Sequence, residues 1–133
     1  MKLTKSLPIL IISMMVLSSN NTISTDTKVY AVGSNGKKTK LQFIYSNNRL
    51  YAAAQNGEKG QLMFIREGNN VYSADANGRK TYYAFLIERG TYAYSVTSNG
   101  IKKELVYIKE GNLIYAAGPS GSKKALLFIN EQK

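Results

Sequence analysis

Lysine recurs at one position of a 21- to 22-residue period: Lys38, Lys59, Lys80, Lys102 and Lys123. The position before it varies through Lys37, Glu58, Arg79, Ile101 and Ser122, so general surface polarity does not account for the column. Five ammonium groups in register form a stripe suited to a repeating polyanion, such as an acidic glycan, a cell-wall polymer or membrane head groups. The same lysines also flank turn residues, where Lys ordinarily serves solubility and keeps sheet edges from pairing. Nucleic acid fits less well, because base stacking needs exposed aromatic faces.

Little else in the chain is equipped for covalent chemistry. It has no His and no Cys, which removes imidazole bases, thiolate nucleophiles and the commonest metal ligands. Four acids, Glu67, Glu88, Glu110 and Glu131, recur in one column with Arg66 and Lys109 beside two of them; Glu58, Asp75 and Glu104 are scattered. A repeated column reads as charge balance at turns, whereas acid–base catalysis needs converging groups. The expectation is a non-enzyme with no catalytic residues, no metal and no cofactor.

Each lysine belongs to a longer motif. Tyr30, Tyr51, Tyr72, Tyr94 and Tyr115 begin it. Asn-Gly follows five residues later, or Ser120-Gly121 in the last copy, and the lysine stands two residues after the Gly. Then come Leu41, Leu62, Tyr83, Leu105 and Leu126, followed by Phe43, Phe64, Phe85, Tyr107 and Phe128. Self-similarity at this period means one supersecondary unit used five times, each too small to bury its own apolar face.

Asn-Gly between alternating apolar runs signals a two-residue hairpin turn. Pairing outward from Asn35-Gly36 sets Ser34 opposite Lys37 and Tyr30 opposite Leu41, with Tyr30, Val32, Leu41 and Phe43 on one face. Between repeats, a three-residue loop such as Glu67-Gly68-Asn69 sets Phe64 opposite Tyr72 and keeps every face consistent. The fold expected is all-β: five tandem hairpins in a ten-stranded antiparallel meander, forming a closed barrel or a strongly twisted sheet. Its Tyr, Leu and Phe columns point inward. The opposite face then carries an aliphatic belt, with Val71, Leu86, Ile108 and Ile114 available for homo-oligomer contacts. The competing architecture is a stacked β-solenoid or cross-β arcade. It would line up five like charges about 4.8 Å apart, against about 10 Å in a meander.

The N-terminus reads as a secretory signal over residues 1–19, with Lys2 and Lys5 ahead of an apolar run from Leu7 to Leu17. A polar lead-in over 20–28 and a β domain over 29–133 follow. This implies export, to a secreted or periplasmic location, of a domain held by packing alone because it has no disulfides. The net charge is +10. The short Tyr/Gly hairpin repeats resemble those of cell-wall-binding modules without their Trp residues, and the repeat length is similar to that of curli-type fibre subunits. The function expected is anion binding at a surface or polymer, with a self-assembling extracellular structural subunit as the alternative.

Overall fold

A computed structural model describes residues 26–132; the expected signal segment lies outside them. Ten strands follow one another: β1 (Thr27–Val32), β2 (Lys38–Ser46), β3 (Arg49–Ala53), β4 (Lys59–Glu67), β5 (Asn70–Ala74), β6 (Lys80–Glu88), β7 (Tyr92–Val96), β8 (Lys102–Glu110), β9 (Leu113–Ala117) and β10 (Lys123–Gln132). Every neighbour pair is antiparallel and consecutive, and β1 pairs with both β2 and β10, so the meander closes into a barrel. Closure leaves no open edge. β1 takes in Thr27 and Lys28, which the sequence reading assigns to the lead-in.

The turns differ from the expected ones, and the register follows the turns. At the Asn-Gly end, Gly36 N–H donates to Gly33 O (2.9 Å) and Gly33 N–H donates to Lys37 O (2.9 Å). The loop is therefore three residues, Ser34-Asn35-Gly36, with only the Gly left-handed at φ 80°. The other four copies repeat this, their glycines lying between 82° and 86°. This is a three-residue hairpin whose final left-handed residue forms a bulge, a conformation that suits Gly because it lacks a Cβ. At the opposite end, Ser46 faces Arg49 and Glu67 faces Asn70, so those loops are two residues long. Asn47 and Asn48 both have positive φ there, at 51° and 64°. Only the β6–β7 connection is longer, with Glu88 facing Tyr92.

A second irregularity inverts the expected faces. Tyr51 pairs with Leu62, but Leu50 pairs with Phe64, so β4 advances two residues while β3 advances one. Met63 is the extra residue. Gln42, Ala84, Val106 and Leu127 occupy the same place in the other long strands. A one-residue bulge switches side-chain parity along the strand. Tyr and Phe, expected on one face, therefore stand on opposite faces. The Phe column faces inward together with the aliphatic set that was expected outside: Val29, Leu50, Val71, Ala93 and Ile114 are all 0% exposed. Met63, Ala84, Val106 and Leu127 pack against the same core. The Tyr column lies on the outer face.

Inside, the rings interlock, with Phe64 and Phe85 edge to face at 6.2 Å and Phe43 and Phe128 tilted at 6.0 Å. Of the proposed oligomer belt, Val71 and Ile114 are interior and cannot meet a partner. Leu86 and Ile108 do face outward. Ile108 is nevertheless buried, standing directly opposite Tyr115 and Tyr92 on the outer face.

Ile114→Ala should destabilise the protein by about 2–5 kcal/mol and Phe64→Ala by about 3–5 kcal/mol, as for other buried side chains. Equilibrium denaturation measures both. A loss for Ile114→Ala below about 0.5 kcal/mol, typical of surface positions, would return that residue to the outer surface.

Candidate functional site: the lysine column and the short-turn mouth

On the outer face each column lysine reaches sideways over two strands. Lys80, starting β6, places its Nζ 4.5 Å from the centre of the Tyr72 ring on β5 and donates to Glu67 Oε1 at the end of β4 (2.8 Å). Lys102 does the same over Tyr94 (4.6 Å) to Glu88 (2.9 Å), and Lys123 over Tyr115 (4.8 Å) to Glu110 (2.7 Å). Lys38 lies over Tyr30 (4.4 Å) and bonds Glu131 (2.6 Å) across the β1–β10 seam. The fifth copy is looser, because Ser46 stands where the others have Glu. Lys59 sits 5.4 Å from the Tyr51 ring and pairs with Asp26 at 3.9 Å.

This arrangement explains three sequence columns at once. Tyr supplies a negative ring face to the ammonium, Glu supplies the counter-charge, and the Tyr backbones hold both at fixed register. The hydrogen-bonded carboxylates push the Lys38, Lys80, Lys102 and Lys123 ammonium groups above their usual range. In the sequence the lysines and glutamates form two separate columns. Their constant offsets, eight residues from Tyr to Lys and 13 or 14 from Glu to Lys, were the available signal. A second register shift, nearer the Asn-Gly turn, brings lysine onto the Tyr face: β3 advances two residues from Tyr51 to Ala53 while β4 steps three from Leu62 to Lys59, and β1, β5 and β7 repeat it against their partners.

The scattered acids do not converge either. Asp75 Oδ1 accepts from the N–H groups of Asn77 and Arg79, both at 2.9 Å, which caps a turn and holds its carboxyl below the usual range. Thr97 does the equivalent work through its hydroxyl in the next repeat. Among the described residues no cluster of three His, Cys, Asp or Glu is suited to a metal ion.

The less expected site is the mouth of the barrel at the short turns. Two residues beyond the Phe column, the inner positions are Tyr45, Arg66, Ile87, Lys109 and Asn130. The Tyr45 hydroxyl donates to Asn48 Oδ1 (3.0 Å), and Arg66 Nε donates to Gly68 O (2.7 Å). Burial raises the Tyr45 pKa, with the Arg66 guanidinium opposing it. Lys109 pairs with no carboxylate among the described residues, and burial pushes its ammonium down. Asn130 is 3% exposed, and neither its Nδ2 nor its Oδ1 has a partner. It lines an open cleft of about 390 Å³ with Gly111, Asn112, Glu131 and Gln132. Of its lining, Glu131, Gly111 and Asn112 occupy positions that recur in other copies, whereas Asn130 stands where those copies have Tyr45, Arg66, Ile87 and Lys109.

No family model, no curated protein and no solved structure matches the chain.

Because the folded-state pKa of Lys109 is lowered, its charged form opposes folding at neutral pH, and stability rises as pH climbs toward the unfolded value of 10.5. Lys109→Met should therefore raise Tm at pH 7, with the gain shrinking as pH approaches 10.5. The four hydrogen-bonded column lysines have the opposite sign. Their contribution is complete below 10.5 and is lost as pH rises through their raised folded values. Glu67→Gln should bring the Lys80 titration back down, as read by NMR of the Lys80 side chain.

Proposed function

We propose that this is an exported, non-catalytic barrel that binds an anionic polymer or surface. The observation that carries the reading is the distribution of unmatched charge. The acids on the outer face of the short-turn half, Asp26, Glu67, Glu88, Glu110 and Glu131, are each engaged by a column lysine. Lys28, Arg49, Arg89 and Lys109 in that half pair with no acid among the described residues. The positive field at that end is therefore not cancelled locally, and such a field draws polyanions and is screened by salt.

Geometry favours these cations over the lysine column as the binding surface. The column ammonium groups remain about two-fifths exposed but already hold a carboxylate and a ring face each. A polyanion would have to compete with both. The column is better suited to stapling neighbouring hairpins together on the outside of the barrel, while the unmatched cations meet the ligand.

Two variants with five charges removed separate the possibilities. One replaces Lys38, Lys59, Lys80, Lys102 and Lys123 with Gln; the other replaces Lys28, Arg49, Arg66, Arg89 and Lys109, the cations of the short-turn half. On an acidic-polysaccharide matrix, the wild-type protein should elute at a salt concentration that marks displacement of counterions. The second variant should elute much earlier, and the first should keep more of its retention despite a lower melting temperature. Equal losses would reduce binding to net charge alone. Selective loss in the first variant would return the site to the column. A wild-type protein that passes straight through, or that light scattering shows growing into fibres, would remove the binding reading in favour of a structural subunit.

A further inference from the structure

The acids decide where positive charge is left over. Of the eight carboxylates, five hold column lysines, so the outer wall between the two ends is charge-matched. The other three, Glu58, Asp75 and Glu104, lie at the Asn-Gly end. Asp75 is committed to its own turn, where it accepts from the Asn77 and Arg79 N–H groups.

Barrel closure sorts that end into two halves. Lys37 and Lys40 belong to the β1–β2 hairpin, Lys124 to β10 and Lys103 to β8. The strands β8, β9, β10, β1 and β2 are consecutive around the ring only because β1 pairs with β10. This seam half of the rim therefore carries four exposed lysines without an ion pair among the described residues and one acid, Glu104. Glu58 and Asp75 stand on the other half, with the exposed apolar side chains Tyr82 and Ile101. Lys124 is laid along its turn: its stem crosses Gly118, where an added Cβ would lie 3.0 Å from the lysine Cε.

The short-turn end is cationic as well, through Lys28, Arg49, Arg89 and Lys109. A long strand such as β2 has nine residues, which sets the two ends about 30 Å apart along the strand and about 23 Å along the axis at the usual barrel tilt. That is more than twice the Debye length of about 8 Å at physiological ionic strength. With a charge-matched wall between them, the ends act as two separate positive faces pointing in opposite directions. One straight stretch of polymer cannot lie on both, whereas two chains can. A bilayer fits less well, since the short-turn loops Asn47-Asn48, Gly68-Asn69, Arg89-Gly90-Thr91 and Gly111-Asn112 offer no apolar side chain to enter it.

We propose that the seam half of the Asn-Gly end is a second binding face, and that the barrel cross-links linear acidic polysaccharide by holding one chain at each end. This rests on the polyanion reading above.

The test is a sandwich. Wild-type protein is loaded on matrix-bound polygalacturonate, rinsed, and offered soluble, fluorescently labelled polygalacturonate. It should capture the second polymer, and rising salt should release it. Three variants each lose four charges to Gln. One loses Lys28, Arg49, Arg89 and Lys109; one loses Lys37, Lys40, Lys103 and Lys124; the third divides the loss between the ends, at Lys28, Arg49, Lys37 and Lys124. Both single-end variants should still load at low salt, with capture per loaded molecule down about tenfold or more, because linkage fails when one of two sites is missing. The divided variant should keep its capture at low salt. Near-ultraviolet circular dichroism checks that each variant is folded. A divided variant that fails like the single-end ones overturns the proposal in favour of net charge. Wild-type loading without capture overturns the second face, with no variant needed, and leaves the surface reading standing. A wild-type protein that does not load removes both readings. Capture of phosphatidylglycerol vesicles but not of the polymer overturns the choice of polysaccharide.

Discussion

The extra residue carried by each long strand, Gln42, Met63, Ala84, Val106 or Leu127, is the constraint on which the rest of this barrel depends. A strand alternates its side chains strictly, so two positions separated by an even number of residues share a face unless something interrupts the count. The bulge is that interruption. It turns Phe64 inward while Leu62 and its neighbour Tyr51 stay outside, and it lets Met63 join the core as well. Repeated in every hairpin, it separates a ring-filled interior from an outer layer of Tyr. Local twist also increases at a bulge, which helps ten short strands close on themselves.

Closure and the outer layer support one another. With Tyr outside, each ring lies where the lysine of the following strand can rest on it and reach the carboxylate one strand further on. These contacts are exposed and individually weak, but they recur around the circumference and cross the seam through Lys38 and Glu131. The one imperfect copy follows from a single difference: Ser46 lacks the carboxylate, and Lys59 reaches Asp26 at a longer distance. Among the described residues, cations without an ion pair remain at both ends, Lys28, Arg49, Arg89 and Lys109 at the short turns and Lys37, Lys40, Lys103 and Lys124 at the Asn-Gly and Ser-Gly turns.

At the short-turn end the five copies diverge. The inner positions Tyr45, Arg66, Ile87, Lys109 and Asn130 are equivalent in the repeat, yet they range from aliphatic to cationic. A core position that tolerates Ile in one copy and holds a buried, unpartnered Asn in another is not chosen for stability. Lys109 points the same way, since its charge is unfavourable where it sits. Both residues belong to the part of the molecule that breaks its own symmetry.

Much was legible from residue order alone. The 21-residue period, the number of strands, their antiparallel meander, the inward Phe column and the absence of His and Cys are local or compositional, and they follow without knowing which strands touch. The pairing of Tyr30 with Leu41 was also readable, although through a two-residue turn and a face assignment that were both incorrect. What the residue order left open was parity. A three-residue Asn-Gly loop and a one-residue bulge have almost no signature of their own, because nearly any side chain fits a bulge. Their placement is settled by which set of side chains fills the barrel without voids. Val29, Leu50, Val71, Ala93 and Ile114 fit beside the Phe rings, and the bulkier hydroxyl-bearing Tyr rings do better outside, with their edges near water and their faces under lysine. The ion pairs, the orphaned Asn130 and the mouth cleft all descend from that choice. Lys80–Glu67, Lys102–Glu88 and Lys123–Glu110 join strands two apart in the meander at regular spacings, but the seam pair Lys38–Glu131 forms only when β1 meets β10, so no spacing along the chain encodes it.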